Sequence, residues 1–184
     1  MKEDSLKARA IENAKTIADV LTATRLFMGF IIAICAFFAE KSLLPLVVAL
    51  TLIGWTTDIL DGRVARLDPN RRQTFIGAMD FAVDLTLIYS GLLYFITAGF
   101  VPFWPFLFYA VYAGVIGIIW TKKSVMMAVA APIVAMPIIF SFVEAPLWGW
   151  VFLGWIILAL IFNWNRFKEE ISEFIEGVQE PADE

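Results

Sequence analysis

Six apolar runs govern what this chain can become. They lie at about residues 20–39, 43–60, 75–98, 103–120, 124–143 and 147–164, each near the ~20 residues an α-helix needs to cross the hydrocarbon of a bilayer. With 60% of 184 residues hydrophobic and 17% charged, too few polar groups remain to cover a soluble core of that size. In lipid every backbone N–H and C=O must find its partner within the segment, which for runs of this length means helices. The fold expected is an all-α integral membrane protein. It has six transmembrane helices and, ahead of them, an N-terminal amphipathic juxtamembrane helix.

The flanks set the domain plan. Residues 1–16 are polar, with Leu6, Ala10, Ala14 and Ile17 recurring every three or four positions, the period of a helix lying on a membrane surface. Residues 17–168 form the six-span domain, and residues 169–184 a short acidic tail. No small-residue cleavage site follows the first apolar run, so the N-terminus does not read as a signal peptide. Lysine and arginine orient the spans. With the N-terminus in the cytoplasm, thirteen of the fourteen collect on one side and Lys41 alone lies on the other. The expectation is a multi-pass protein of the cell (inner) membrane with both termini and its polar face cytoplasmic. Tryptophans such as Trp104, Trp148 and Trp164 sit at run ends, as interfacial anchors do.

Some chemistry is excluded. The one cysteine, Cys35, has no partner for an intrachain disulfide, and with no histidine in the chain there is no Ser-His-Asp triad and no His-ligated zinc. Nucleic acid is not an expected partner.

What remains is acidic. Asp58 and Asp61 close the second run, and Asp80 and Asp84 open the third. On a helix, Asp58, Asp61, Gly62 and Ala65 share one stripe, and Gly77, Asp80 and Asp84 share another. Facing stripes would bring four carboxylates together, where two like charges ~4 Å apart repel by about 4 kcal/mol at an effective dielectric near 20. Such a cluster calls for protons or cations, and its all-oxygen donors suit hard ions such as Mg²⁺ or Mn²⁺. Carboxylates at the edge of a membrane are a functional site by default.

The pattern Asp58-x2-Asp61-Gly62-x2-Ala65-Arg66 followed by Asp80-x3-Asp84 resembles the signature of the CDP-alcohol phosphatidyltransferase family: D-x2-D-G-x2-A-R, a spacer of about eight, then G-x3-D-x3-D. Ile76 stands at the second glycine position and Gly77 one residue later. Leu21, Thr22 and Arg25 resemble the family's N-x-L-T-x-x-R entry to the first span, with Asp19 at the asparagine. The resemblance implies a phospholipid biosynthesis enzyme that moves a phosphatidyl group from CDP-diacylglycerol to an alcohol and releases CMP. It implies Asp58, Asp61, Asp80 and Asp84 as ligands of two ions, Mg²⁺ or Mn²⁺, with Asp84 also the general base. Gly62 and Ala65 would admit the nucleotide, Arg66 would support its phosphates, and Thr22 and Arg25 would face the site. A homodimer is the family expectation.

Two basic sites have competing readings. Arg71, beside Arg72, is either a topology signal or a contact to substrate phosphates, for which the guanidinium fork is suited. Lys122 and Lys123, in WTKKS, either mark topology or grip a phosphorylated acceptor, and loosely resemble a junction in glycerophosphate-using members. With the compact size and the six spans, they favour sn-glycerol 3-phosphate as acceptor. Inositol phosphate, serine and phosphatidylglycerol remain open. A cation carrier would spread its acids through the membrane depth, and a purely structural protein would leave the aspartate spacing unexplained.

Overall fold

The computed structural model describes residues 2–65, 79–120 and 123–179, with backbone alone for 2–14, 65, 117, 123, 170, 178 and 179. The described residues hold no strand. They form α1 (Lys2–Phe38), α2 (Leu44–Ala65), α3 (Asp80–Thr97), α4 (Phe103–Ile119), α5 (Lys123–Glu144), α6 (Pro146–Phe162) and α7 (Trp164–Gln179), with a 3₁₀ turn at Lys41–Leu43. All regular structure among the described residues is thus helical.

The expected surface helix and first span are continuous: α1 runs 37 residues without a break. No glycine or proline precedes Gly29, so nothing in this stretch interrupts helical hydrogen bonding. Among the described residues four helices are long and apolar enough to cross a membrane, Lys15–Phe38, Lys41–Val64, Asp80–Thr97 and Ser124–Glu144. A fifth arises if α6 and α7, bent 88° at their junction, count as one span. The protein is therefore a multi-pass membrane protein. Helices α4 and α6 have 17 residues each, about 25 Å at ~1.5 Å per residue, against a core of about 30 Å. Pro102 before α4 and Pro146 at the start of α6 fix where those helices begin.

The chain divides into two compact units, Met1–Tyr94 and Phe95–Glu184. In the first, α1 and α2 pack side by side after a tight reversal in which Ala39 adopts a left-handed φ of 55°. Ile32, Cys35, Ala36, Val47 and Val48 are buried along these helices. Helix α3 joins them through Leu87. A Cβ on Gly54 would lie 2.7 Å from Leu87 Cδ2, and one on Gly29 would lie 3.4 Å from the Leu87 amide nitrogen. These glycines are where both neighbouring helices let α3 approach closely. Tyr94 Oη donates to the Glu40 carbonyl at 2.9 Å, tying α3 to the reversal. Threonines in the unit mostly donate to their own helix: Thr51 to the Val47 carbonyl at 2.9 Å and Thr57 to that of Gly54 at 2.7 Å. This satisfies a hydroxyl where water is scarce.

In the second unit, Gly99 (φ 72°) ends α3, with the Phe100 amide donating to the Phe95 carbonyl at 3.0 Å. Phe95, Phe100 and Phe140 cluster at ring separations of 5.2 to 5.5 Å. Tyr109 of α4 donates to the Val129 carbonyl of α5 at 2.6 Å. Helix α7 comes back to α5 at its C-terminal end, where a Cβ on Gly177 would meet Ser124 Oγ at 2.8 Å.

Candidate functional site

The site lies in the first unit, where α1, α2 and α3 each contribute one short helical pattern. Thr22 and Arg25 are three residues apart on α1. Asp58 and Asp61 are three apart near the end of α2, and Asp80 and Asp84 four apart at the start of α3. Each pair therefore shares a helix face, and the tertiary fold brings the three faces together.

Arg25 is at the centre, with a relative exposure of 0%. A buried guanidinium is costly unless carboxylates and hydrogen bonds compensate it, and here four carboxylates do. Its Nη1 donates to Asp80 Oδ1 at 2.9 Å and also to Asp84 Oδ1. Its Nη2 lies 3.1 Å from Asp58 Oδ1 and donates to Asp61 Oδ2. Its Nε is buried and has no hydrogen-bond partner among the described residues.

The four acids are not equivalent. The side chains of Asp58, Asp80 and Asp84 are 41%, 44% and 40% exposed, whereas that of Asp61 is 10% exposed. Thr22 departs from the back-bonding habit of its neighbours and donates across the helix pair to Asp61 Oδ2 at 3.2 Å. Asp61 is thereby held by α1 from two sides. Asp58, Asp80 and Asp84 each offer an oxygen, and these three oxygens lie within 4.8 Å of one another. Two such charges repel by about 3–4 kcal/mol at an effective dielectric near 20, and one guanidinium cannot neutralise four acids. Partly open carboxylates converging without sulfur or nitrogen donors are the donor set that a hard divalent ion takes. The residues present thus fit such an ion.

The other expected residues are placed as follows. Gly62 is half-buried on α2, on the stripe of Asp58 and Asp61. The backbone of Ala65 closes α2, and that of Lys123 opens α5. Arg66, Arg71, Ile76, Gly77 and Lys122 lie outside the described residues. Sequence reasoning put Arg25 on the site but missed its contact with all four aspartates. The signal available was one arginine inside an apolar run with no acid within one turn toward the C-terminal side.

A model of one family, CDP-alcohol phosphatidyltransferase, matches residues 15–164. No curated protein and no solved structure shows significant similarity to the chain.

Proposed function

The chain belongs to the CDP-alcohol phosphatidyltransferase family, and from that premise we propose that it transfers the phosphatidyl group of CDP-diacylglycerol to sn-glycerol 3-phosphate, forming phosphatidylglycerophosphate and releasing CMP. The observation that carries the reading is the convergence of Asp58, Asp80 and Asp84, with oxygens within 4.8 Å of one another, on the residues that match the family signature.

In this reading Asp58, Asp61, Asp80 and Asp84 hold two divalent ions, Mg²⁺ or Mn²⁺. When bound, such ions neutralise the pyrophosphate and stabilise the departing CMP. The acceptor hydroxyl oxygen forms a bond to the phosphorus that carries the diacylglycerol, the P–O bond to CMP breaks, and Asp84 takes the hydroxyl proton. Asp84 suits that role because its carboxylate is partly open, where an acceptor hydroxyl can reach it. Gly62 and Ala65 leave space beside α2 for the nucleotide. Thr22 orients Asp61, and Arg66 supports the phosphates. Arg71, Lys122 and Lys123 supply positive charge for substrate phosphates, and the lysine pair is what favours a phosphorylated acceptor.

The proposal extends to architecture. Residues 17–168 constitute the catalytic domain with six spans, α4 and α6 completing the count. Both termini and the carboxylates face the cytoplasm of the cell (inner) membrane, as thirteen of fourteen basic residues on one side support. The enzyme acts as a homodimer among membrane lipids.

The test is to incubate the purified protein with CDP-diacylglycerol and a panel of alcohols and to identify the lipid formed. Phosphatidylglycerophosphate is expected. A different product would reassign the acceptor, and no CMP release with any alcohol would overturn the activity.

A further inference from the structure

We infer that Arg25 is a built-in competitor for the divalent ions: its guanidinium and a bound ion claim the same carboxylates, so Arg25 sets how tightly the site holds metal. The inference rests on the reading of Asp58, Asp80 and Asp84 as ligands.

Three observations carry it. First, the guanidinium contacts every member of the trio, Asp80 at 2.9 Å, Asp58 at 3.1 Å, and Asp84. An ion drawing on the same carboxylates puts a double positive charge within a few ångströms of a cation that never loses its proton, and the two repel. Second, Arg25 is fully buried, yet among the described residues its Nε has no hydrogen-bond partner. A structural arginine in an apolar bundle is expected to have all its donors met. Among the described residues, carboxylates hold the guanidinium through Nη1 and Nη2 and nothing holds Nε, so no further hydrogen bond opposes its release when an ion takes up those carboxylates. Third, Asp61 is the most buried of the four acids, and Thr22 and Arg25 both bind its Oδ2, so Arg25 keeps a partner there while Oδ1 of Asp61 is the oxygen an ion would take. Arg25 therefore acts as a positioning residue. It holds four mutually repelling acids at one place and yields the trio to divalent ions, at the cost of part of their affinity.

The experiment measures Mn²⁺ binding to the full-length protein in detergent, without lipid substrate, from the electron paramagnetic resonance signal of free Mn²⁺. Wild type is compared with Arg25→Gln and Arg25→Lys. Arg25→Gln removes the competing charge and should bind Mn²⁺ about tenfold more tightly or better. Its melting temperature without added metal should fall, and Mn²⁺ should raise it by more than in wild type. Arg25→Lys keeps the charge on a compact ammonium that cannot bridge four carboxylates, and its affinity should fall between the two.

Equal or weaker binding by Arg25→Gln, with wild type binding normally, overturns the competition and leaves the metal site standing. An Arg25→Gln protein that folds only when Mn²⁺ is present supports it, because the ion then replaces the guanidinium. If that variant folds under neither condition, Arg25→Lys decides: tighter binding than wild type supports the inference, and equal or weaker binding overturns it. Failure of all three proteins to bind Mn²⁺ overturns both the inference and the ligand assignment.

Discussion

Leu87 of α3 seats against Gly54 of α2, so closely that a Cβ on Gly54 would lie 2.7 Å from Leu87 Cδ2. Gly54 is one turn before Asp58, and Leu87 is one turn after Asp84. The contact therefore fixes the helix approach that brings the two carboxylates together. Gly54→Leu should overpack this point at about 1–3 kcal/mol and separate Asp58 from Asp84. The expected outcome is weaker Mn²⁺ binding and reduced CMP release, both measurable on purified protein. Gly54→Ala should stay much nearer to wild type, because the far end of Leu87 can rotate away. Normal Mn²⁺ binding by Gly54→Leu would show that the approach is set elsewhere.

Thr22 donates to Asp61 from the neighbouring helix at 3.2 Å. Thr22→Val keeps the shape and removes the donor, a loss of about 0.5–1.5 kcal/mol. A modest fall in melting temperature should accompany a few-fold weaker Mn²⁺ affinity, with the variant still folded. An unchanged affinity would make the bond incidental to the site.

Asp84→Asn removes the proposed proton acceptor while preserving shape. CMP release should drop roughly 100- to 10,000-fold, with binding of CDP-diacylglycerol largely retained. Turnover at the wild-type rate would transfer the base role to another group.

EDTA should abolish CMP release, and Mg²⁺ or Mn²⁺ should restore it. Activity that persists after exhaustive chelation would remove the ions from the reaction.

Much of this site could be read along the chain, because the relevant information is local. The i, i+3 spacing of Asp58 and Asp61 and the i, i+4 spacing of Asp80 and Asp84 place each pair on one face of any helix they form. Long apolar runs can satisfy their backbone in lipid only as helices, so the all-helical membrane character followed as well. The count of spans was less legible. Pro102, just before α4, and Pro146, the first residue of α6, mark the starts of two helices of only 17 residues, and hydropathy alone does not register that limit.

The meeting of the faces belongs to tertiary structure. Arg25 is separated from its acidic partners by 36, 55 and 59 positions in its hydrogen bonds to Asp61, Asp80 and Asp84, and no period along one helix relates residues that far apart. The division of labour among the acids, with Asp61 enclosed beside Thr22 and the other three partly open, depends on which helix shields which carboxylate. That shielding follows from how α1 lies against α2, with Thr22 and Arg25 over Asp61, a matter of packing between helices. The spacing along each helix determined which acids could act together; only the packing of three helices decided that a buried arginine would stand among them.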